Sequence, residues 1–252
     1  MNFKSAICCV LCLIFTMVSA QAVTVDATVM KVIGNAYAVL PGTQDKVPLK
    51  EGMKLPPGTV VTTEAGALVS LNLLPGAASV ITGNSEMKIG ELSYGKTEAD
   101  NREIKLNLKK GGIFSSLKSS GTHTDFRVET PFGVAAARGT SWEVLVDGAG
   151  GSVRTYNHTV ILTLSDGTTF EITSGHFIEI KDGHAVGDPK PLTQEQIDAI
   201  KKLLADAGFT VTTTNTGTGG LGGNNNVNFN PANLDGQVQS PETGGDLKPL
   251  IR

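Results

Sequence analysis

The sequence of 252 residues predicts an all-β fold, an antiparallel sandwich or barrel-like domain, with one C-terminal amphipathic helix and a disordered tail. Three observations predict this class. Short segments of alternating apolar residues recur between residues 23 and 187, an Asp-Gly pair joins two of them, and the apolar period becomes helical after Thr193. Strands repeating at roughly 8–12 residues, with Gly, Pro and Asp between them, favour a sandwich or barrel over an α/β fold.

The N-terminal segment, residues 1–22, has the pattern of a signal peptide. Lys4 precedes an uncharged apolar run at 6–18, and small residues allow cleavage after Ala20 or after Ala22. The run is shorter than the roughly 20 apolar residues of a membrane-spanning helix. The cysteines lie inside this run and not at its end, which favours cleavage over lipidation. We therefore expect an exported protein, periplasmic or at the cell surface, that is not an integral membrane protein after cleavage.

Composition excludes several classes of function. The three cysteines of the chain, Cys8, Cys9 and Cys12, all leave with the predicted signal peptide. The mature protein then has no disulfide, no thiolate nucleophile and no cysteine metal site. The formal net charge is −3, and acidic and basic residues are interspersed without a basic stripe, so nucleic acid is not an expected partner.

The predicted β domain covers residues 23–187. Asp166-Gly167 separates two strand-like runs, 160–164 and 169–172, and is a strong hairpin signal. One local pattern occurs three times: an apolar residue, two polar residues and a glycine before a new apolar stretch. It ends at Gly52, Gly111 and Gly175. Three degenerate copies are too few for a solenoid, so we interpret them as one type of sheet corner used repeatedly.

Residues 188–208 are predicted to form a linker and a helix. Thr193 and Gln196 have the spacing of a capping box, and Gly208 suits the position after the helix end. Apolar residues then follow one helical face: Ile197, Ile200, Leu203 and Leu204. A helix of this length is marginal alone, so we expect it to dock on the β domain; binding a partner is the alternative. Residues 209–252, rich in Gly, Asn and Thr, are predicted to be a flexible tail.

The most distinctive segment, residues 125–146, has two alternating strands on either side of a centre with proline and glycine. We call its pattern Thr-Pro-x-Gly-x-Ala-x-x-Arg-Gly-Thr, with the following tryptophan, the signature. Pro131 interrupts a regular strand, and Gly133 and Gly139 allow a positive φ or a close backbone approach. The signature residues are Thr130, Pro131, Gly133, Ala135, Arg138, Gly139, Thr140 and Trp142.

We interpret the signature as a structural element. Small residues around Arg138 suggest tight packing, with the guanidinium partly buried against a carboxylate or backbone carbonyls; contact with an anion or partner is the alternative. Trp142 shares a strand face with Val144 and Val146, which predicts a core aromatic and not a platform for sugar stacking.

This signature resembles that of the FecR-like domain, an all-β module of the bacterial cell envelope. Weaker similarity in the same order extends over residues 30–183. The resemblance implies a sensor-type β domain; related iron-transport regulators also have a cytoplasmic segment and an internal membrane helix. Here the apolar segment begins at residue 5, so we expect a free-standing exported protein that lacks the cytoplasmic anti-sigma segment. We expect it to bind an envelope protein or polysaccharide. The alternative is a periplasmic sensor of sigma-factor signalling that acts with a separate membrane partner.

No catalytic, cofactor or metal site is predicted. The sequence contains no Gly-x-Ser-x-Gly elbow, phosphate-binding loop or dinucleotide fingerprint. His123, Asp125 and His158 are the best candidates for acid–base or metal chemistry. A metal site would need a second histidine at ligand spacing or a carboxylate cluster, so a polar turn is the preferred interpretation. We expect a protein that is not an enzyme.

Overall fold

The computed structural model describes residues 22–95, 101–118, 123–215 and 225–231, without the side chains of 210–231. Residues 1–21 of the predicted signal peptide, and 216–224 and 232–252 of the predicted tail, lie outside the described residues.

The β domain has nineteen strands, in chain order: β1 Val23–Thr24, β2 Ala27–Ile33, β3 Ala36–Val39, β4 Lys46–Pro48, β5 Lys54–Leu55, β6 Val60–Thr63, β7 Leu68–Leu74, β8 Ala77–Ile81, β9 Glu86–Tyr94, β10 Arg102–Leu117, β11 Thr124–Thr130, β12 Gly133–Ala137, β13 Ser141–Asp147, β14 Gly150–Asn157, β15 Thr159–Leu164, β16 Thr169–Thr173, β17 His176–Lys181, β18 His184–Ala185 and β19 Lys190–Pro191.

These strands form two open sheets that share the long strand β10. The front sheet has the order β4-β3-β6-β9-β10-β11-β12-β15-β16, with β1 also beside β9. The back sheet has the order β5-β2-β7-β8-β10-β13-β14-β17, with β18 and β19 on the outer side of β17. Because no pairing among the described strands joins the edges of either sheet, the fold is a sandwich. Its pairings are antiparallel except β10–β11.

Residues with positive φ mark the corners where the chain passes between the sheets. In the described chain, nine such connections contain one: Gly34, Gly52, Gly58, Gly66, Asn84, Gly111, Gly139, His158 and Gly175. The three glycines of the recurring sequence pattern are among them, and each lies where the chain leaves the front sheet for the back sheet. The interpretation of that pattern as a corner used repeatedly is confirmed.

The core between the sheets contains both signature strands. Phe126 on β11 and Trp142 on β13 are fully buried and meet edge to face, with ring centroids 4.7 Å apart. A second apolar cluster lies on the outer face of the back sheet. There Phe114 and Tyr156 pack beneath a helix and Phe209. The outer face of the back sheet is therefore covered, whereas none of the described helices and strands packs on the outer face of the front sheet.

The predicted helix is confirmed as α1, Gln194–Asp206, and it docks on the back sheet. Thr193 and Gln196 make both hydrogen bonds of the capping box, and Ile197, Ile200 and Leu204 are buried. After Gly208, two strands pair antiparallel: β20 Phe209–Asn215 and β21 Asn225–Pro231. The composition of the predicted tail, poor in apolar residues, gave no indication of this pair.

The capping box provides a test of the docked helix. Replacing Thr193 by alanine removes the hydroxyl that accepts a hydrogen bond from the backbone N–H of Gln196 at 3.2 Å. We expect the free energy of unfolding to fall by about 1 kcal/mol, whereas Thr193→Ser should retain most of it. Urea denaturation followed by circular dichroism measures both variants; an equal loss in the serine variant would argue against the cap.

Candidate interaction surface

The first half of the signature is a tight hairpin between β11 and β12. The Thr130 hydroxyl donates to the carbonyl of Gly133 at 2.8 Å and accepts from its N–H at 3.1 Å. Pro131 lies in the turn, and Phe132 is buried. A Cβ on Gly133 would lie 2.3 Å from the carbonyl oxygen of Thr163, so only glycine lets β12 approach β15 this closely.

The second half of the signature is the corner that leads from β12 to β13. Gly139 has φ +63°, and the buried hydroxyl of Thr140 donates to the backbone carbonyl of Asn157. The Asn157 side-chain oxygen accepts from the N–H of Ser141. Asn157 precedes the adjacent corner at His158, so these bonds tie two corners together. The arrangement agrees with a structural role for Gly139 and Thr140.

The side chains of the signature divide between the core and the outer surface of the sandwich. Ala135 and Trp142 point into the core and are fully buried, as the alternation of the strands predicts. Trp142 is therefore not available as a platform for sugar stacking.

The expected burial of Arg138 is wrong, because its side chain is exposed. Ala135 and Ala137 occupy the inner positions of β12, so the alternation continues outward through Val134, Ala136 and Arg138. The small residues reflect packing on the inner face only. Among the described residues, Arg138 makes no ion pair or hydrogen bond. The signature thus combines buried framework residues with one outward cation.

Beside Arg138, the outer surface of the front sheet carries several ion pairs. We call five residues on β9, β10 and β11 the charged face: Glu91, Glu103, Lys105, Asp125 and Arg127. The Lys105 ammonium lies 2.8 Å from Glu91 and 3.6 Å from Glu103. The Arg127 guanidinium forms a two-point contact with Asp125. Ala137, the last residue of β12, pairs with Phe126, which lies between Asp125 and Arg127 on β11, and Arg138 directly follows Ala137.

The shape of the charged face is shallow. Glu103, Lys105, Asp125 and Arg127 line a depression of about 30 Å³. Pockets for small molecules typically measure about 300–1,000 Å³. The depression therefore has room for little more than water between the ionic groups.

The ion pair between Glu91 and Lys105 provides a test of the geometry. A hydrogen bond from the Lys105 ammonium lowers the pKa of Glu91 below 4.5, and the Glu91 carboxylate raises the pKa of Lys105. Because the folded-state pKa of Glu91 is lowered, the pair stabilises the fold above the ordinary carboxyl pKa, and this contribution is lost as pH falls through the folded-state value. In Lys105→Met, we expect the Glu91 pKa to rise toward 4.5 in an NMR titration. An unchanged pKa would contradict the pairing.

The candidates for acid–base or metal chemistry do not form a site. His123 and His158 are exposed, and Asp125 is paired with Arg127. In the ranges that the structure describes, no group of three His, Cys, Asp or Glu side chains could hold a metal ion.

Two polar groups were not found by sequence reasoning. The charged face has a local signal, since opposite charges two residues apart in Glu103/Lys105 and Asp125/Arg127 share one face of a strand. The other group lies on the back sheet, where the buried Glu143 accepts from Arg154 at 2.8 Å and from the Tyr156 hydroxyl at 3.1 Å. Burial, together with the Glu143 charge, raises the pKa of Tyr156 well above its ordinary value.

Comparison with known protein families gives a match, which covers the signature and the charged face. Residues 59–161 match the family model described as FecR protein. The chain contains a FecR domain. The match begins at β6 and ends in β15, so this FecR domain includes the charged face and the complete signature. It is narrower than the 30–183 range suggested by sequence order.

Comparison with solved structures gives distant similarity. Two crystal structures, each of a "putative anti-sigma factor" from Parabacteroides distasonis, are 13% identical to this chain. The first has a TM-score of 0.42 and covers 58% of this chain and 71% of the other; the second has a TM-score of 0.43 and covers 59% and 72%. No curated protein matches the chain. Within the described residues, no helix has the length and apolar character needed to cross a membrane.

Proposed function

We propose that this protein is an exported, non-enzymatic binding or assembly module of the bacterial cell envelope. The FecR domain supports a signalling-related role. The basic residue, apolar run and small residues at the N-terminus support export by a cleaved signal peptide to the periplasm or cell surface. The partner is an envelope protein or polysaccharide, and no cofactor is required.

The exposure of Arg138 carries this proposal. The neighbouring signature residues Thr140 and Trp142 are buried, while the side chain of Arg138 is exposed among the described residues. The guanidinium of an exposed arginine recognises carboxylates in a two-point geometry.

A protein is the favoured partner. Beside Arg138, the charged face presents both signs of charge in fixed positions, which suits a partner of complementary charge pattern. A polysaccharide site usually offers an exposed aromatic ring, and the only tryptophan of the chain is in the core.

Site-specific crosslinking tests the proposal. A photo-reactive amino acid replaces Arg138 in the full chain, expressed in the native bacterium. The control carries the same group at Glu195, which is exposed on α1 behind the back sheet. We expect a discrete adduct with an envelope protein only from position 138. No adduct from position 138, or equal adducts from both positions, would contradict this binding surface.

The FecR match also supports a second candidate, a periplasmic sensor component of sigma-factor signalling that acts with a separate membrane partner. Its test is transcription. Deleting the gene should change the rate of transcription from a neighbouring promoter that depends on a sigma factor. Reintroducing the gene with the Arg138→Ala substitution should fail to restore the original rate. Unchanged promoter output after deletion would exclude this role.

A further inference from the structure

The margins of the two sheets differ in how they are protected. Exposed edge strands invite pairing with other chains and are usually blunted by shortness, lysine or proline. The β4 edge has three residues and contains Lys46 and Pro48, and the β5 edge has only two. At the other margin of the back sheet, β17 is covered by the two-residue strands β18 and β19, the latter formed by Lys190 and Pro191.

The remaining margin, β16, has neither the shortness nor the lysine or proline of the other edges, and its one charged side chain is that of Glu171. It comprises five residues, Thr169–Thr173, without lysine or proline, and pairs with β15 without a bulge. Among the described strands, β15 is its only hydrogen-bonded neighbour. From the described pairings, we infer that β16 is the edge able to accept a strand.

The register shows which backbone groups are available. The N–H of Leu164 donates to the carbonyl of Thr168 at the hairpin end. Hydrogen-bonded pairs alternate along an antiparallel ladder, so Phe170 and Ile172 bond to β15. The N–H and C=O groups of Thr169, Glu171 and Thr173 therefore point away from β15, and their side chains are exposed.

We propose that β16 is a strand-addition site for an extended segment of a partner protein with a lysine or arginine at its centre. Glu171 lies in the middle of the edge and is exposed on the face of the front sheet, across from the half-exposed Ile161. A cation opposite Glu171 makes a favourable cross-strand pair. The flanking partner residues lie opposite Phe170 and Ile172, which pack toward the core, and are apolar.

The charge of the edge argues against a second copy of this chain as the occupant. In an antiparallel pairing of β16 with itself centred on Glu171, the two Glu171 carboxylates would lie directly opposite, and like charges in that position are destabilising. The inference rests on the binding role proposed above and names the backbone contact that such a partner makes.

A synthetic peptide tests the edge on the mature protein. The probe is Gly-Thr-Val-Lys-Val-Thr-Gly, with its lysine in register with Glu171. Amide hydrogen exchange by NMR should slow at Thr169, Glu171 and Thr173 when the peptide is added. The amides of Phe170 and Ile172, already bonded to β15, should change little. No slowing at the three outward amides would overturn the proposal, as would slowing that depends on protein concentration without peptide, which would indicate a second copy.

Variants at Glu171 distinguish the contribution of the side-chain charge to peptide binding from that of the backbone N–H. Glu171→Gln keeps the outward N–H and should weaken peptide binding by about two- to fivefold. Glu171→Pro also removes that N–H, without costing a bond to β15, and should abolish binding. In Glu171→Lys, the peptide with a central glutamate should bind better than the lysine peptide. Equal binding by the glutamine and proline variants would overturn strand addition.

The proposed Arg138 binding surface and the proposed strand-addition site at β16 can be contradicted independently. Crosslinking at position 138 reports on the proposed function, and amide protection reports on the edge. An adduct from position 138 without amide protection would exclude the edge only. Protection without an adduct would exclude the Arg138 surface only.

Discussion

Replacing Gly111 by alanine should destabilise the domain by about 2–6 kcal/mol, the sum of backbone strain and overpacking. Gly111 is the corner at which β10 passes from the front sheet to the back sheet, with φ +86°. A Cβ there would lie 2.2 Å from the Ser85 hydroxyl oxygen and 2.5 Å from the Ser85 Cα. A side-chain oxygen could rotate away, but the Cα belongs to the adjacent corner of the same sandwich and cannot move alone.

Gly167 provides the matched control. Its φ is +87°, nearly that of Gly111, but an added Cβ has nothing within 4 Å. Gly167→Ala therefore introduces the backbone strain without the collision and should cost about 1 kcal/mol. Urea denaturation gives the free energy of unfolding of both variants, and the difference between the two losses is the contribution of the close packing at the corners. Equal losses would mean that the corners at Gly111 and Ser85 are not packed as described.

Trp142→Ala should destabilise the protein by about 3–5 kcal/mol, because it removes the largest buried side chain of the core. The loss includes the edge-to-face contact with Phe126, which links β13 in the back sheet to β11 in the front sheet. Ile161→Ala is the control, since Ile161 is 39% exposed and should cost less than about 1 kcal/mol. Circular dichroism follows unfolding in both variants. A loss below that of Ile161→Ala would contradict the position of Trp142.

Elements governed by local rules were predicted from the sequence. Thr193 and Gln196 are three residues apart, so the cap of α1 depends on nearby atoms alone. The same holds for the hairpin at Asp166-Gly167, where the Asp166 carboxylate accepts from the N–H of Thr168 at 2.8 Å. The recurring glycine pattern predicted the corner conformation because positive φ is a property of the single residue.

Features that depend on long-range register were missed or misread. The exposure of Arg138 follows from which face of β12 is turned toward the core, and the run of three alanines at 135–137 does not indicate that face. The charged face requires β10 and β11 to run parallel, a pairing that needs the chain to cross between sheets after Leu117. The alternation of β13 places Glu143 on the outer face of the back sheet, where a charged residue is expected to contact solvent. That face is covered by α1 and the strands after it.

The central claim is that the signature is a structural framework, with Thr140 and Trp142 buried, and that its arginine is exposed and outside this framework. The direct test is the free energy of unfolding of Arg138→Ala and Thr140→Val, measured together by urea denaturation. Thr140→Val removes the buried hydroxyl that bonds to Asn157 and leaves that carbonyl without this donor, so it should cost about 1–3 kcal/mol. Arg138→Ala should change stability by less than about 0.5 kcal/mol. A loss in Arg138→Ala as large as that in Thr140→Val would show that the arginine belongs to the framework, and would contradict the claim.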